Sequence, residues 1–268
     1  MVKAVTYSSR QGPWEYQEDY YFFSRIEEPG VSGWLLAIMD GHRGKEVAEF
    51  CAKEIGRIFK IVDGVEIEEI LRRLVAELNS KTVSLSAGST LSIALILENQ
   101  KKVFIAVLGD SPVLVLDKNK ELHISPEHNV RSNAKERALV EKRGGVYLDG
   151  YVYTPDGEHG LQLSRAFGDA NLGEIISREP DIYTVSDPEW VLVASDGVFD
   201  PGHEHFFEFL EGVKHLALRN CEAEDIIVCA EQRGLKDNAT ALVWRSRPKW
   251  NLIDKVLRFL QKLLKAVW

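Results

Sequence analysis

An α+β fold, with sheet packed on sheet and helices outside, is what the sequence predicts, and three observations carry that prediction. Bursts of strand length rich in Val, Ile and Leu recur at 34–39, 91–97, 103–108, 113–116, 191–194 and 240–244. Gly, Asp or Ser sits at their ends, which favours strands over helices. The bursts at 91–97, 103–108 and 113–116 are joined by links of a few polar residues. Links that short demand antiparallel neighbours, because parallel strands need a crossover. Strands and helical patterns come in blocks rather than in strict alternation, which separates α+β from a parallel α/β sheet.

The helices follow from apolar spacing. Val47, Cys51, Ile55 and Ile58 fall at helical intervals, and Ile67, Ile70, Leu71, Leu74, Val75 and Leu78 make the fuller stripe of a core-facing helix. A third helix is expected over 131–143, stopped by Gly144-Gly145 as a C-terminal cap. Two more are expected near 204–218 and 223–232. Composition changes once, after Trp244, and divides the chain into a domain at 1–246 and a tail at 247–268. In the tail Asn251, Asp254, Lys255, Arg258, Gln261, Lys262 and Lys265 share one helical face, and Leu252, Ile253, Val256, Leu257, Phe259, Leu260, Leu263, Leu264 and Val267 fill the rest. This is a basic amphipathic helix. Its wide apolar face needs a partner: its own domain, a second copy, or an anionic membrane surface with Trp250 and Trp268 at the two ends.

Composition narrows the function classes. At 268 residues, 45% hydrophobic and 28% charged, the chain is ordinary globular material, which excludes a disordered or fibrous protein. Lys and Arg total 33 against 41 Asp and Glu, a net charge of −8, so binding of nucleic acid through overall charge is excluded. Cys51, Cys221 and Cys229 form no disulfide framework and match no zinc spacing, which fits a reducing compartment. The N-terminus runs into polar Ser8-Ser9-Arg10-Gln11 without an apolar core segment, so no secretory leader is expected. With no apolar run of 18 residues, the expectation is a cytoplasmic protein, peripherally membrane-associated if the tail is an anchor.

Acidic residues next to Gly or Asn recur at the ends of strand-like bursts: Asp40-Gly41, Gly109-Asp110, Asp196-Gly197 and Asp237-Asn238, with Glu18-Asp19 before another burst. An Asp there holds its carboxylate on a rigid element while Gly lets a ligand approach the backbone. One such pair is a turn; four or five suggest a shared site. Carboxylate, carbonyl and water ligands suit hard cations such as Mg²⁺ or Mn²⁺, which also make clustered carboxylates tolerable.

The order of these blocks resembles the metal-dependent serine/threonine protein phosphatases of type 2C (PPM). The matching stretches are Gln17-Glu18-Asp19, Met39-Asp40-Gly41-His42-Arg43-Gly44, Gly88-Ser89-Thr90, Leu108-Gly109-Asp110-Ser111 and Gly144-Gly145. They continue through Leu163-Ser164-Arg165-Ala166-Phe167-Gly168-Asp169, Glu179-Pro180-Asp181, Ala194-Ser195-Asp196-Gly197-Val198-Phe199-Asp200 and Lys236-Asp237-Asn238-Ala239-Thr240. The resemblance implies an αββα sandwich with a binuclear metal centre at one end, acting on phosphoprotein substrates through a metal-activated water. It implies that Asp40 bridges two metals, that the Gly41 carbonyl binds one of them, and that Asp196 and Asp237 hold the other. Glu18 would contribute through water, with Asp19 beside this shell, and Asp110 and Asp200 would bind a weaker third metal. His42 matches the family's general acid, a role suited to a proton donor with pKa near 7. Arg165 belongs to a family block and is expected to be structural.

Two departures stand out. Trp14 occupies the place of a phosphate-binding Arg, and Pro112 ends the Gly-Asp-Ser block. Arg10 and Arg43 are the candidate replacement cations. Those departures support an alternative reading, a catalytically weak or silent relative acting as a regulatory binding module. Against it, a full set of carboxylates without metal destabilises a scaffold. A hydrolase of another phosphoester is a third reading, which the sequence hardly separates from the first.

Overall fold

The computed structural model describes residues 4–199 and 208–246. The chain opens with β1 (Val5–Arg10), β2 (Asp19–Glu28) and β3 (Val31–His42), then helices α1 (Glu46–Ile58) and α2 (Ile67–Thr82). Next come β4 (Gly88–Ser89), β5 (Leu91–Leu97), β6 (Lys102–Leu108), β7 (Val113–Asp117) and β8 (Leu122–Ile124). Helix α3 (Ala134–Lys142) precedes a ribbon of β9 (Val146–Leu148), β10 (Tyr151–Tyr153) and β11 (Gly160–Leu161). After β12 (Phe167–Gly168), β13 (Asp181–Ser186) and β14 (Pro188–Ala194) come α4 (Glu208–Leu218), α5 (Ala223–Gln232) and β15 (Ala239–Arg245).

Two antiparallel sheets stack. One runs β1-β15-β14-β7-β8; the other runs β12-β4-β3-β5-β6-β13, with β2 on the free edge of β3. Each central strand buries both faces, which is why its sequence is a continuous apolar run. On β3, Leu36 and Ile38 face the opposing sheet, alongside Val191 and Val193 of β14. The alternate residues Leu35, Ala37 and Met39 pack under α1 and α2, on Cys51, Ile55, Leu71 and Leu78. The second sheet is covered likewise, with Trp190 and Leu192 against Val213, Ile226 and Ile227 of α4 and α5. The order of layers is therefore helices, sheet, sheet, helices.

Most expected elements are present within a few residues of their expected ends. Gly144, at φ +93°, closes α3, with its N–H on the Glu141 carbonyl and that of Gly145 on Val140. One expectation is overturned. The short link 109–112 was expected to make β6 and β7 antiparallel neighbours, yet they belong to different sheets. Gly109, at φ +113°, turns the chain across the sandwich, and the Pro112 carbonyl joins Ala194 of the other sheet. That crossing brings the charge of Asp110 to bear on Asp40. The tail 247–268 lies outside the described residues. Among the described residues no helix is long and apolar enough to cross a membrane.

Candidate metal centre and active site

Antiparallel register builds the centre. Asp19, the first residue of β2, lies opposite Asp40 near the end of β3. Glu18 is tied to the same corner, since its carbonyl accepts from Gly41 N–H at 3.1 Å and its Oε1 accepts from Gly44 N–H at 2.6 Å. A Cβ on Gly41 would stand 2.7 Å from the Glu18 carbonyl oxygen, so this approach requires glycine. From the other sheet, Asp196 follows β14 and Asp237 precedes β15. Gly197 lets them close, because a Cβ there would stand 2.1 Å from the Asn238 carbonyl oxygen and 3.1 Å from the Asp237 Cβ. Asp110 arrives on the crossing after β6, its Oδ2 accepting from Asn129 Nδ2 at 3.0 Å.

These carboxylates feel one another. The Asp40 carboxyl is raised well above the usual range, first by burial and then by the charges of Asp19, Asp196, Asp110 and Asp237. Asp19 is pushed up to about 6, chiefly by burial; hydrogen bonds from Ser195 and Thr240 oppose the shift and the Asp237 charge adds to it. Ser195 Oγ donates to Asp19 Oδ2 at 2.7 Å, and the other oxygen, Oδ1, is buried without a hydrogen-bond partner. A buried orphan carboxylate oxygen inside an acidic cluster is a strained arrangement that a hard divalent cation relieves. The oxygen-only donor set fits Mg²⁺ or Mn²⁺.

Three supporting residues carried no role in the sequence reading. Thr90 fixes Asp40 from both sides, since its Oγ1 accepts from Asp40 N–H at 3.1 Å while its N–H donates to the Asp40 carbonyl at 2.9 Å. Asn238 staples the β1–β2 loop: its Oδ1 accepts from Glu18 N–H at 2.7 Å and its Nδ2 donates to the Gln11 carbonyl at 2.6 Å. Asp169 meets His42, with Oδ2 2.7 Å from His42 Nε2. Its Oδ1 accepts from the Arg43 guanidinium at 3.1 Å, and Arg43 also donates to the Gly160 carbonyl. Asp169 is fully buried, and both it and Arg43 hold left-handed backbone, φ +50° and +57°. Gly88 makes room for the pair, because a Cβ there would stand 2.2 Å from both His42 Nε2 and Asp169 Oδ2. All three sit in matching sequence blocks, so the blocks are visible in the sequence and the contacts are not.

The candidate cations are both engaged. Arg10 turns onto α5, with its guanidinium 2.6 Å from Glu224 and 2.8 Å from Glu231. Arg43 is spent on Asp169 and Gly160, as above. Trp14 is 58% exposed on the β1–β2 loop. Arg165 forms paired contacts with Glu136 and reaches Asp181 at 2.9 Å, tying α3 to β13. Asp200 lies outside the described residues. A separate compact group, Asp117, Glu121 and His123, stands at the far end of β7 from Asp110. There Asp117 Oδ1 accepts from the Asn119 and Glu121 N–H groups at 2.8 and 3.0 Å, the arrangement of an Asx turn closing the β7–β8 hairpin.

Known proteins share this sandwich. The chain superposes on a C. elegans sex determining protein with a TM-score of 0.73 at 26% identity, covering 91% of this chain and 65% of that one. On the serine-threonine phosphatase 2C of Toxoplasma gondii the TM-score is 0.68 at 18% identity, covering 90% and 94%, which speaks to fold alone. In sequence it is 32% identical over 240 residues to an Arabidopsis thaliana protein described as "Probable protein phosphatase 2C 58", covering 84% of this chain and 81% of that one. A second Arabidopsis relative, "Probable protein phosphatase 2C 17", is 28% identical over 242 residues. The fold is that of a protein serine/threonine phosphatase. Residues 24–203 match the family pattern described as Protein phosphatase 2C, and the chain belongs to that family.

Proposed function

We propose that this protein is a catalytically competent phosphatase that removes phosphate from phosphoserine and phosphothreonine in proteins. The observation that carries the proposal is the convergence of Asp19, Asp40, Asp110, Asp196 and Asp237 at one end of the sandwich, with one Asp19 oxygen buried and unpartnered among them. In this reading Asp40, the Gly41 carbonyl, Asp196 and Asp237 would hold two Mg²⁺ or Mn²⁺ ions. Glu18 would contribute through water, Asp19 would stand beside the pair, and Asp110 with Asp200 would take a weaker third ion. When bound, the cations supply a water acidic enough to attack phosphorus near neutral pH.

The chain's own residues do the rest. Thr90 and the β2–β3 register hold Asp40, so the cluster is rigid before substrate arrives. The serine alkoxide is a poor leaving group, and His42 gives it a proton. The Asp169 carboxylate, 2.7 Å from His42 Nε2, fixes the orientation of the ring. Hydrolysis of a phosphoserine peptide in Mn²⁺, compared with the same reaction in excess EDTA, tests the proposal. Full activity in EDTA would refute it. The silent-module reading draws on the internal pairing of Arg10 and Arg43, and it predicts no turnover in Mn²⁺.

The tail 247–268 is proposed as a separate unit that holds the enzyme reversibly at an anionic membrane. Each of Lys249, Lys255, Arg258, Lys262 and Lys265 would contribute about 1 kcal/mol near such a surface. The last described residue, Ser246, donates to the Glu189 carbonyl at the end of β15 away from Asp237. Flotation with anionic vesicles at low salt tests this. Full-length protein that stays soluble, with a domain that unfolds when 249–268 are deleted, would make the helix structural.

A further inference from the structure

The ribbon β9–β11 carries an apolar face that the chemistry above leaves unused. Asp149 and Gly150 join β9 to β10 with φ of +50° and +87°, as a two-residue type I′ hairpin requires, so the ribbon is pre-formed. Val146 pairs with Tyr153 and Leu148 with Tyr151, which places all four side chains on one face. Val152, on the other face, packs with Val130, Val140 and Tyr147. The outward face stays open, with Val146 50%, Leu148 58% and Tyr151 40% exposed. The Tyr151 and Tyr153 rings lie 6.1 Å apart across it.

This face is continuous with the candidate active site. Tyr153 lies over Gly160, where a Cβ would meet its ring at 2.3 Å, and the Gly160 carbonyl accepts from Arg43, the neighbour of His42. Two strand spacings, about 10 Å, separate Gly160 from Val146. An extended peptide covers that distance in about three residues, and Gly160 is itself one Arg43 side chain from the His42 corner, so a side chain on this face lies at least three residues from the phosphorylated one.

Two arguments choose the occupant. The Arg10 guanidinium pairs with the surface carboxylates of Glu224 and Glu231, that of Arg43 with buried Asp169, and Trp14 stands where the resemblance implies a phosphate-binding Arg. Beyond what bound cations supply to the phosphate, affinity for a phosphoprotein is then left to the side chains flanking it. The open face is also small, on the order of 300 Å² by the usual size of such side chains, against about 800 Å² per partner in a stable protein interface. It suits one or two side chains of a peptide rather than a second copy.

We propose that the outward face of the β9–β10 ribbon (Val146, Leu148, Tyr151 and Tyr153) docks apolar side chains lying three or more residues from the phosphoserine or phosphothreonine of a protein substrate. The inference rests on the phosphatase reading. The test uses the full chain in Mn²⁺ with three probes. Two are phosphoserine peptides, one bearing Leu and Phe at the third and fourth positions on both sides and one bearing Ser and Asn there; the third is p-nitrophenyl phosphate. The wild type should show a KM about tenfold lower for the apolar peptide, the discrimination a single apolar contact supplies. Leu148→Ser combined with Tyr151→Ser should bring the two KM values together and leave p-nitrophenyl phosphate turnover unchanged. If the double variant loses aryl phosphate turnover, Leu148→Ser alone supplies the comparison. Equal KM values in the wild type, or an unchanged ratio in the variant, overturn the docking surface and spare the phosphatase reading. A wild-type dimer that the variant breaks would assign the face to a second copy and also overturn it. No metal-dependent turnover of any probe overturns both.

Discussion

Stripped of divalent cations, the protein should be destabilised by its own carboxylates, and Asp19→Asn should relieve part of that strain. Asp19 has an ordinary pKa of 3.8 that burial pushes up to about 6 in the folded, metal-free protein. An acid whose folded pKa lies above its unfolded one binds its proton more tightly when folded. Its ionisation therefore penalises the folded state: not at all below about pH 4, increasingly between about 4 and 6, and fully above about 6. Two pK units at 1.36 kcal/mol each amount to about 3 kcal/mol. Asparagine keeps an acceptor for Ser195 Oγ, 2.7 Å away, and removes the charge. For a domain of this size about 2–4 °C of Tm accompanies each kcal/mol. Thermal unfolding in EDTA at pH 7.5 should therefore show the variant melting roughly 6–12 °C above wild type, with the gap closing by pH 4. Saturating Mn²⁺ should reverse the order, because bound cation stabilises only the state that can hold it. Equal melting in EDTA at pH 7.5, or a gap that persists at pH 4, would show that Asp19 is not strained in this way.

Asp40→Asn and Asp196→Asn should each lower phosphopeptide turnover by several orders of magnitude, and His42→Ala by about 10²–10⁴-fold; near-normal rates in the aspartate variants would remove the metal assignment. Asp169→Asn should lower turnover of a phosphoserine peptide far more than that of p-nitrophenyl phosphate, whose leaving group needs no proton. An equal loss on both substrates would make Asp169 merely structural. Gly88→Ala, whose added carbon would stand 2.2 Å from both His42 Nε2 and Asp169 Oδ2, should reproduce that split; turnover at the wild-type ratio would show that the pair tolerates separation. Trp14→Arg should lower KM for small aryl phosphates by adding a charge-assisted contact of about 1.5–3 kcal/mol, and an unchanged KM would mean that Trp14 stands away from the phosphate.

What the sequence displayed and what it hid divide along a physical line. Strands buried on both faces, such as β5 and β14, write themselves as unbroken Val, Ile and Leu runs, and they were legible. The edge strand β1 was not, because its alternate residues serve α5: Thr6 Oγ1 accepts from Ala223 N–H, and Ser8 and Arg10 bind Glu224. Chain crossing was equally silent, since four residues at 109–112 read as a hairpin link until Gly109 carried them to the other sheet. The acidic residues were legible one by one, as Asp beside Gly at strand ends. Their convergence was not a local property, because Asp19 and Ser195 meet across 176 residues of sequence and His42 and Asp169 across 127. The same distance explains the two arginines. As free cations on the chain, Arg10 and Arg43 were plausible phosphate ligands; only tertiary folding shows that carboxylates 214 and 126 residues away hold them. A charge can be counted from sequence, but whether it is available to a ligand depends on what the fold sets against it. Here that difference takes two arginines away from the phosphate and leaves affinity beyond the metal centre to the side chains around it.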